Sequence, residues 1–65
     1  MLIANKKPGA NSIPFRNDND WTMIISNLRT DKDRMLESIR ITAGDQRDID
    51  LWDNESELYG SIKFD

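Results

Sequence analysis

The densest group of chemically reactive side chains is a run of carboxylates between residues 45 and 57. Its members are Asp45, Asp48, Asp50, Asp53, Glu55 and Glu57, and Arg47 is the only base among them. Carboxylate oxygens can bind hard cations such as calcium or magnesium. The spacing does not match a calcium loop of the EF-hand type, because Trp52 occupies the fifth position counted from Asp48. We therefore expect solvated strand and turn carboxylates, with no bound metal and no cofactor.

Two residue types that serve much of enzyme chemistry are missing, since the chain has no Cys and no His. Without them there is no thiolate nucleophile, no disulfide framework, no histidine-bound metal and no histidine general base. Paired carboxylates catalyse acid–base reactions only within a cleft. A chain of 65 residues has little material beyond its core to build one. The sequence predicts that this protein is not an enzyme.

Aromatic residues and an uneven charge distribution indicate binding instead. Residues 1–16 contain three bases and no acid, whereas residues 17–65 contain six bases and twelve acids. An acidic body is attracted to basic protein surfaces and repelled by phosphate backbones. Tryptophan and tyrosine supply much of the binding energy at protein interfaces. The predicted contact surface for a protein partner consists of Trp21, Asp48, Asp50, Trp52, Asp53, Glu55, Glu57 and Tyr59.

The predicted function is that of a small interaction or inhibitor module that binds a basic surface of a larger host protein. Small acidic proteins that lack catalytic residues are often encoded by phages or other mobile elements. This link comes from the type of protein and not from particular residues of the chain. A second copy of the chain is another candidate partner. The alternative is single-stranded nucleic-acid binding, which the acidic body disfavours. In that alternative, bases would stack on the aromatic rings and phosphates would bind the basic residues, namely Trp52, Tyr59, Lys6, Lys7 and Arg16.

No segment of the sequence indicates a membrane protein. The longest apolar run, residues 1–4, has four residues, far below the roughly 20 needed to cross a bilayer. The first residues also lack the apolar stretch of a signal peptide. We therefore expect a cytoplasmic protein that makes no membrane contact.

The elements that position these side chains are predicted to follow an extended amino-terminal segment. Residues 1–16 are interpreted as a basic extended arm, because two prolines and a glycine lie between residues 8 and 14. Ile13 and Phe15 are two positions apart, so an extended arm could place both against the body. The polar residues 17–20 then mark a turn, and residues 17–65 are predicted to form a single small acidic domain.

The body is predicted to be all-β, with a small antiparallel sheet of about four strands. Four apolar clusters are separated by turn-like stretches at residues 30–33, 44–46 and 54–57. Joined as a meander, which could curl into a partial barrel, these strands place apolar residues on one face. The predicted interior residues are Ile39, Ile41, Ile49, Leu51 and Ile62. The predicted cross-strand pairs include Ile24 with Ile39, Ile49 with Ile62, and Trp52 with Tyr59 on the reverse face.

A helical alternative exists for the first half of the body. Apolar residues between positions 21 and 39 also follow helical spacing, which would give one or two short helices in residues 20–43 before a carboxyl-terminal β-hairpin. The result would be an α+β fold. Because Ile39, Ile41 and Thr42 are β-branched, strands are favoured for residues 34–43.

Overall fold

The protein is built from six β-strands in two antiparallel sheets and has no helix. The computed structural model describes every residue from 1 to 65. The strands are β1 (Leu2–Asn5), β2 (Ser12–Arg16), β3 (Met23–Thr30), β4 (Ile39–Ile41), β5 (Gln46–Asp50) and β6 (Glu57–Phe64). One sheet has the strand order β1-β6-β3-β4, and the other pairs β2 with β5. The predicted all-β class is confirmed, and the helical alternative for residues 20–43 is wrong.

The core lies between the two sheets. Its eight buried apolar residues are Ile13, Met23, Ile25, Leu28, Ile41, Ile49, Leu51 and Leu58. Ile13 of β2 lies directly opposite Ile49 of β5, so the smaller sheet contributes both side chains from one face. Of the predicted interior residues, Ile39 is only half-buried and Ile62 is exposed.

The strand order differs from the predicted meander. Consecutive strands β4 and β5 belong to different sheets, as do β5 and β6, so the turns between them carry the chain from one sheet to the other. β6 lies between β1 and β3, and the sheets do not close into a barrel. The predicted pairs Ile49–Ile62 and Trp52–Tyr59 are therefore wrong. Alternation of apolar residues determines which side chains share a face, but it does not determine which strand lies alongside.

A β-bulge at Asn27 explains why the predicted register of β3 is wrong by one residue. The pairing of β3 with β6 shifts by one position between Ser26 and Arg29, so β3 contains one extra residue there. Asn27 has a φ of 55°, a left-handed conformation that asparagine adopts more readily than most residues. Alternation is therefore interrupted at this point. The buried residues of β3 are Met23 and Ile25 before the bulge, then Leu28 and Thr30 after it.

The pairing of β3 with β4 shows the consequence of this interruption. Ile25, rather than the predicted Ile24, lies opposite Ile39. A strict period of two through β3 puts Ile24 on the same face as Ile39, whereas the extra residue at the bulge turns the first half of β3 over. Ile25 is therefore the buried residue at this point.

Gly60 of β6 lies beside the bulge, and its lack of a side chain lets three strands pack closely. A Cβ atom at this position would lie 2.9 Å from the backbone oxygen of Ser26 and 2.9 Å from Cδ1 of Ile3. Both distances are shorter than atoms tolerate without displacement. Glycine is therefore required where β1, β6 and β3 meet.

Residues 1–16 contribute a strand to each sheet. β1 pairs with the beginning of β6, and β2 pairs with β5 along its whole length. Ile13 is buried, and Ile3 and Phe15 pack against the core. The segment is extended, as its sequence predicts, and its apolar side chains complete the fold. The structure contains no helix with the length and apolarity needed to cross a membrane.

Candidate functional site

A shallow groove lies between β5 and the segment that leads into β4. Its volume is about 290 Å³, and it is lined by Leu28, Leu36, Glu37, Ile39, Asp48, Ile49 and Asp50. Two backbone contacts with β3 hold its far side: Arg29 bridges to Met35, and the Leu36 N–H donates to the Leu28 carbonyl oxygen at 2.9 Å. Four aliphatic residues and three acidic residues thus share one concave surface, which we call the acidic groove.

The three carboxylates of the acidic groove form no salt bridge. The salt bridges of the protein are Arg16–Asp18, Arg29–Asp33, Arg34–Glu55 and Arg40–Asp65. Asp48 accepts a hydrogen bond of 3.2 Å from the side-chain amide of Gln46, which leaves its charge uncompensated. The groove therefore combines unneutralised negative charge with accessible apolar surface. A lysine or arginine side chain has the complementary structure, because an apolar stem ends in a positive charge.

A buried cluster around Glu55 lies next to the acidic groove. The Glu55 carboxylate has no solvent exposure and accepts hydrogen bonds from Nε and Nη2 of Arg34 at 2.9 and 2.8 Å. It also accepts from the Thr30 hydroxyl at 2.6 Å and from the Trp52 backbone N–H at 2.7 Å. Both carboxylate oxygens are thus satisfied, which is the condition for a buried ion pair to be tolerated. Arg34 reaches the groove by donating to the Asp50 carbonyl oxygen at 3.3 Å.

These contacts keep Glu55 ionised. They lower the pKa of Glu55 from its ordinary value of 4.5 to about 2, chiefly through the hydrogen bonds from Arg34, with smaller contributions from Thr30 and Trp52. Burial acts in the opposite direction but does not prevail. The same pairing raises the pKa of Arg34. The predicted placement of Glu55 on an exposed acidic contact surface is wrong, because a paired carboxylate in the interior cannot touch a partner.

Trp52 covers the outer side of this cluster. The Arg34 guanidinium carbon lies 4.4 Å from the centre of the Trp52 ring system, a cation–π contact. The indole is nevertheless 62% exposed, so most of its surface remains accessible. Because Arg34 contacts both Trp52 and Asp50, it places an exposed aromatic side chain next to the acidic groove.

Tyr59 and Glu57 form a separate pair on β6 and do not line the acidic groove. The Tyr59 hydroxyl donates a short hydrogen bond to Glu57, and the Arg29 guanidinium carbon lies 4.9 Å from the centre of the Tyr59 ring. The hydrogen bond to Glu57 is the main reason that the pKa of Tyr59 is raised above its ordinary value of 10. The contacts of the Tyr59 side chain are thus with Glu57 and Arg29, whereas the Trp52 ring lies over Arg34.

The other predicted contact residues are distributed over the surface. Trp21 is exposed before β3, and Asp53 is exposed in the turn after β5. Neither lines the acidic groove. Of the eight predicted contact residues, the structure brings together Asp48 and Asp50 in the groove and places Trp52 beside it through Arg34.

Two of the three basic residues proposed to hold phosphates are already engaged. The Lys6 ammonium donates to the Trp52 carbonyl oxygen at 3.0 Å, and Arg16 forms a 2.7 Å salt bridge with Asp18. Lys6 and Lys7 line a second cavity of about 490 Å³, to which Asp53 also contributes. Of these three bases, only Arg16 has its charge paired with a carboxylate, because the acceptor of the Lys6 hydrogen bond is a neutral carbonyl oxygen.

Sequence reasoning missed several residues that build this region. Arg34 and Glu55 are 21 positions apart, so no local period connects them. Leu36 and Glu37, which line the groove, are not among the predicted contact residues. Asn17 was interpreted as a turn residue, yet it is buried and donates to the carbonyl oxygens of Trp21 and Ile41 at 2.6 and 2.9 Å.

No group of three acidic side chains lies close enough together to hold a metal ion. Comparison with protein-family models, with curated proteins and with solved structures gives no match to this chain.

Proposed function

We propose that this protein is a small, non-enzymatic protein-interaction module whose acidic groove binds a basic, partly apolar segment of a larger protein. The observation that supports the proposal is the set of three carboxylates without salt-bridge partners that line a groove with four aliphatic residues. Uncompensated charge of one sign steers a ligand of the opposite sign and fixes its orientation. The aliphatic lining supplies apolar surface that binding removes from water.

Trp52 adds an anchor next to the groove. One face of its ring packs against the Arg34 guanidinium, and most of the ring is exposed. The contact with Arg34 orders the ring before a partner binds. Ordered aromatic side chains at interfaces contribute much of the binding energy, because little conformational entropy is lost when they are covered. When the acidic groove covers a basic patch on the partner, other ligands of the partner can no longer bind to that patch. The protein would then act as an inhibitor.

A peptide titration tests the proposal. A short unstructured peptide of alternating arginine and leucine is added to isotope-labelled protein, and amide chemical shifts are followed. We expect saturable shift changes at Leu36, Glu37, Asp48 and Asp50, with weak affinity that falls as salt is added. A peptide of alternating glutamate and leucine should produce no such changes.

Matched charge variants separate the groove from general acidity. Asp48→Asn/Asp50→Asn should weaken the binding of the arginine peptide by about tenfold, which corresponds to two modest ionic contacts. Asp20→Asn/Asp33→Asn removes the same charge from exposed positions outside the groove and should leave the affinity within about twofold. Equal affinities for the two variants would refute the proposal. A single-stranded oligonucleotide that shifts Lys7 and Trp52 while the peptide shifts nothing would instead support the nucleic-acid alternative.

A further inference from the structure

The second half of β6 has a neighbouring strand on one side only. β1 pairs with residues 57–59, and its last contact is the hydrogen bond of 3.2 Å from the Gly60 N–H to the Met1 carbonyl oxygen. Beyond Gly60, β6 pairs only with β3. Residues 61–64 are therefore an edge of the four-stranded sheet, and we call them the open edge.

The backbone groups of Ile62 and Phe64 face away from β3. The Asp65 N–H donates to the Thr22 carbonyl oxygen at 2.9 Å, and alternate residues of an antiparallel strand direct their N–H and C=O groups to the same neighbour. The backbone groups of residues 61 and 63 therefore bond to β3. Those of residues 62 and 64 point to the other side of β6, where β1 does not pair with it. Two N–H and two C=O groups are left without a strand partner.

The side chains of the same two residues are exposed although their cross-strand neighbours are buried. Ile62 lies opposite Ile25 and Phe64 opposite Met23. Ile62 is 43% exposed and Phe64 is 47% exposed, whereas Ile25 and Met23 belong to the core. Proteins usually protect a strand edge with charge, proline or a covering loop. The open edge has one charged residue, Lys63, and no proline, and the face that carries Ile62 and Phe64 has exposed apolar side chains, which is typical of a surface that pairs with another strand.

We propose that the open edge pairs with the open edge of a second copy of this chain. The two strands run antiparallel about a two-fold axis at Lys63. In this register Ile62 lies opposite the partner's Phe64, and Phe64 lies opposite the partner's Ile62. All four outward backbone groups of each copy are then hydrogen-bonded, and the apolar side chains meet on the face that continues the core.

The structure selects this register over its neighbours. If the axis passed through Ile62, the partner's Phe64 would occupy the place that Met1 takes beside Gly60. If the axis passed through Phe64, Ile62 would lie beyond the partner's open edge and would face none of its residues. Only the axis at Lys63 pairs both Ile62 and Phe64 with the partner's open edge and leaves β1 in place.

Charge on the outer face is compatible with the pairing. Lys63 lies opposite the partner's Lys63, but the Asp65 of each copy lies diagonally across the interface from the other copy's Lys63. Asp65 also forms an exposed 3.7 Å salt bridge with Arg40 of its own chain, so in the dimer each Asp65 would lie between Arg40 and the partner's Lys63. The contact area of two short strand segments is small, so the dimer is weak and forms as the protein concentration rises.

Disulfide trapping tests the register directly. The chain has no cysteine, so Lys63→Cys introduces a single thiol at the proposed axis. Residues directly opposite in a non-hydrogen-bonded antiparallel pair have Cα atoms about 4.5 Å apart, within the range a disulfide spans. Under mild oxidation we expect Lys63→Cys to form a covalent dimer at least about tenfold faster than Ser38→Cys, an exposed control position outside the open edge, because pairing raises the effective thiol concentration.

A second variant and a measurement on the unaltered protein complete the test. Adding Phe64→Lys to Lys63→Cys should abolish the difference in rate, because it introduces a charge into the apolar contact; its amide spectrum reports whether it remains folded. In the unaltered protein, hydrogen exchange of the Ile62 and Phe64 amides should slow as concentration rises, while that of Lys63 stays constant. Equal cross-linking rates for Lys63→Cys and Ser38→Cys, or concentration-independent exchange of these two amides, would overturn the proposal. Because the acidic groove contributes no residue to this contact, that result would leave the proposed peptide binding untouched.

Discussion

Replacing Glu55 by glutamine removes the negative charge from the buried cluster beneath Trp52 with little change in shape. Glutamine also places an NH₂ group where a carboxylate oxygen now accepts hydrogen bonds from Arg34. Both effects weaken the folded state, because the partly buried guanidinium loses its ionic partner. We expect Glu55→Gln to fold but to be less stable than the unaltered protein at neutral pH.

The magnitude follows from the pKa of Glu55. A fall from 4.5 to about 2 corresponds to at most about 3.5 kcal/mol of stability at neutral pH, since one pKa unit is worth about 1.4 kcal/mol. The molecule is only 16 Å across its shortest axis, so solvent screens the pair partly. We therefore expect a difference of about 2 kcal/mol between the two proteins, a large part of the roughly 3–10 kcal/mol expected for a domain of this length.

The sign of the pH dependence is fixed by the direction of the shift. Because the folded state lowers the pKa of Glu55, its contribution is complete above the unfolded value of 4.5 and is lost as the pH falls towards about 2. Urea unfolding monitored by tryptophan fluorescence and circular dichroism between about pH 7 and pH 2 measures this contribution. The difference in free energy of unfolding between the two proteins should shrink steadily across that interval.

Glu37→Gln is the matched control, because Glu37 is an exposed glutamate without a salt bridge. Its stability should stay within about 0.5 kcal/mol of the unaltered protein at every pH. A stabilising role for the Glu55 charge is excluded if Glu55→Gln matches the unaltered protein at pH 7, or if the difference between them persists unchanged at pH 2.

Three further outcomes are expected. Gly60→Ala should lower the free energy of unfolding by about 1–3 kcal/mol, because its Cβ would lie 2.9 Å from the Ser26 backbone oxygen; an unchanged thermal midpoint would contradict the packing described for the bulge. Asn17→Ala should cost about 1–3 kcal/mol by chemical denaturation, since two carbonyl oxygens lose their buried donor, and a loss below about 0.5 kcal/mol would show that water replaces it. Tyr59 is the only tyrosine, so ultraviolet absorbance should show it ionising above pH 10 and at lower pH in Glu57→Gln; identical titration curves would contradict the assigned hydrogen bond.

The positions of strands and turns could be predicted because they depend on local patterns. Turn-forming residues correctly separate β3 from β4, β4 from β5 and β5 from β6. Burial of Ile41 and Ile49 also followed from alternation. What alternation could not supply was the break at Asn27, because a bulge depends on the neighbouring strand and on the space left by Gly60.

The candidate site could be predicted only in part. Asp48 and Asp50 were recognised as exposed carboxylates, and Trp52 as an exposed aromatic residue, from β-strand periodicity and composition. The cluster around Glu55 was not recognised, because a buried carboxylate has the same local signature as a solvated one until its distant cation is known. Arg34 is supplied by the turn after β3, and only the crossing of the chain between sheets brings the two together.

The central position of β6 has a consequence for how the chain folds. β6 is the last strand in sequence order, yet it supplies the hydrogen-bonding neighbour for both β1 and β3. Neither β1 nor β3 is next to β6 in the sequence, so neither can pair with it by forming a hairpin. The larger sheet therefore assembles by bringing distant segments together. Such topologies pay their loop-closure entropy before gaining contacts, and they fold in milliseconds to seconds rather than microseconds. The transition state should therefore depend more on β6 than on any turn, and mutations along it should slow refolding more than they speed unfolding.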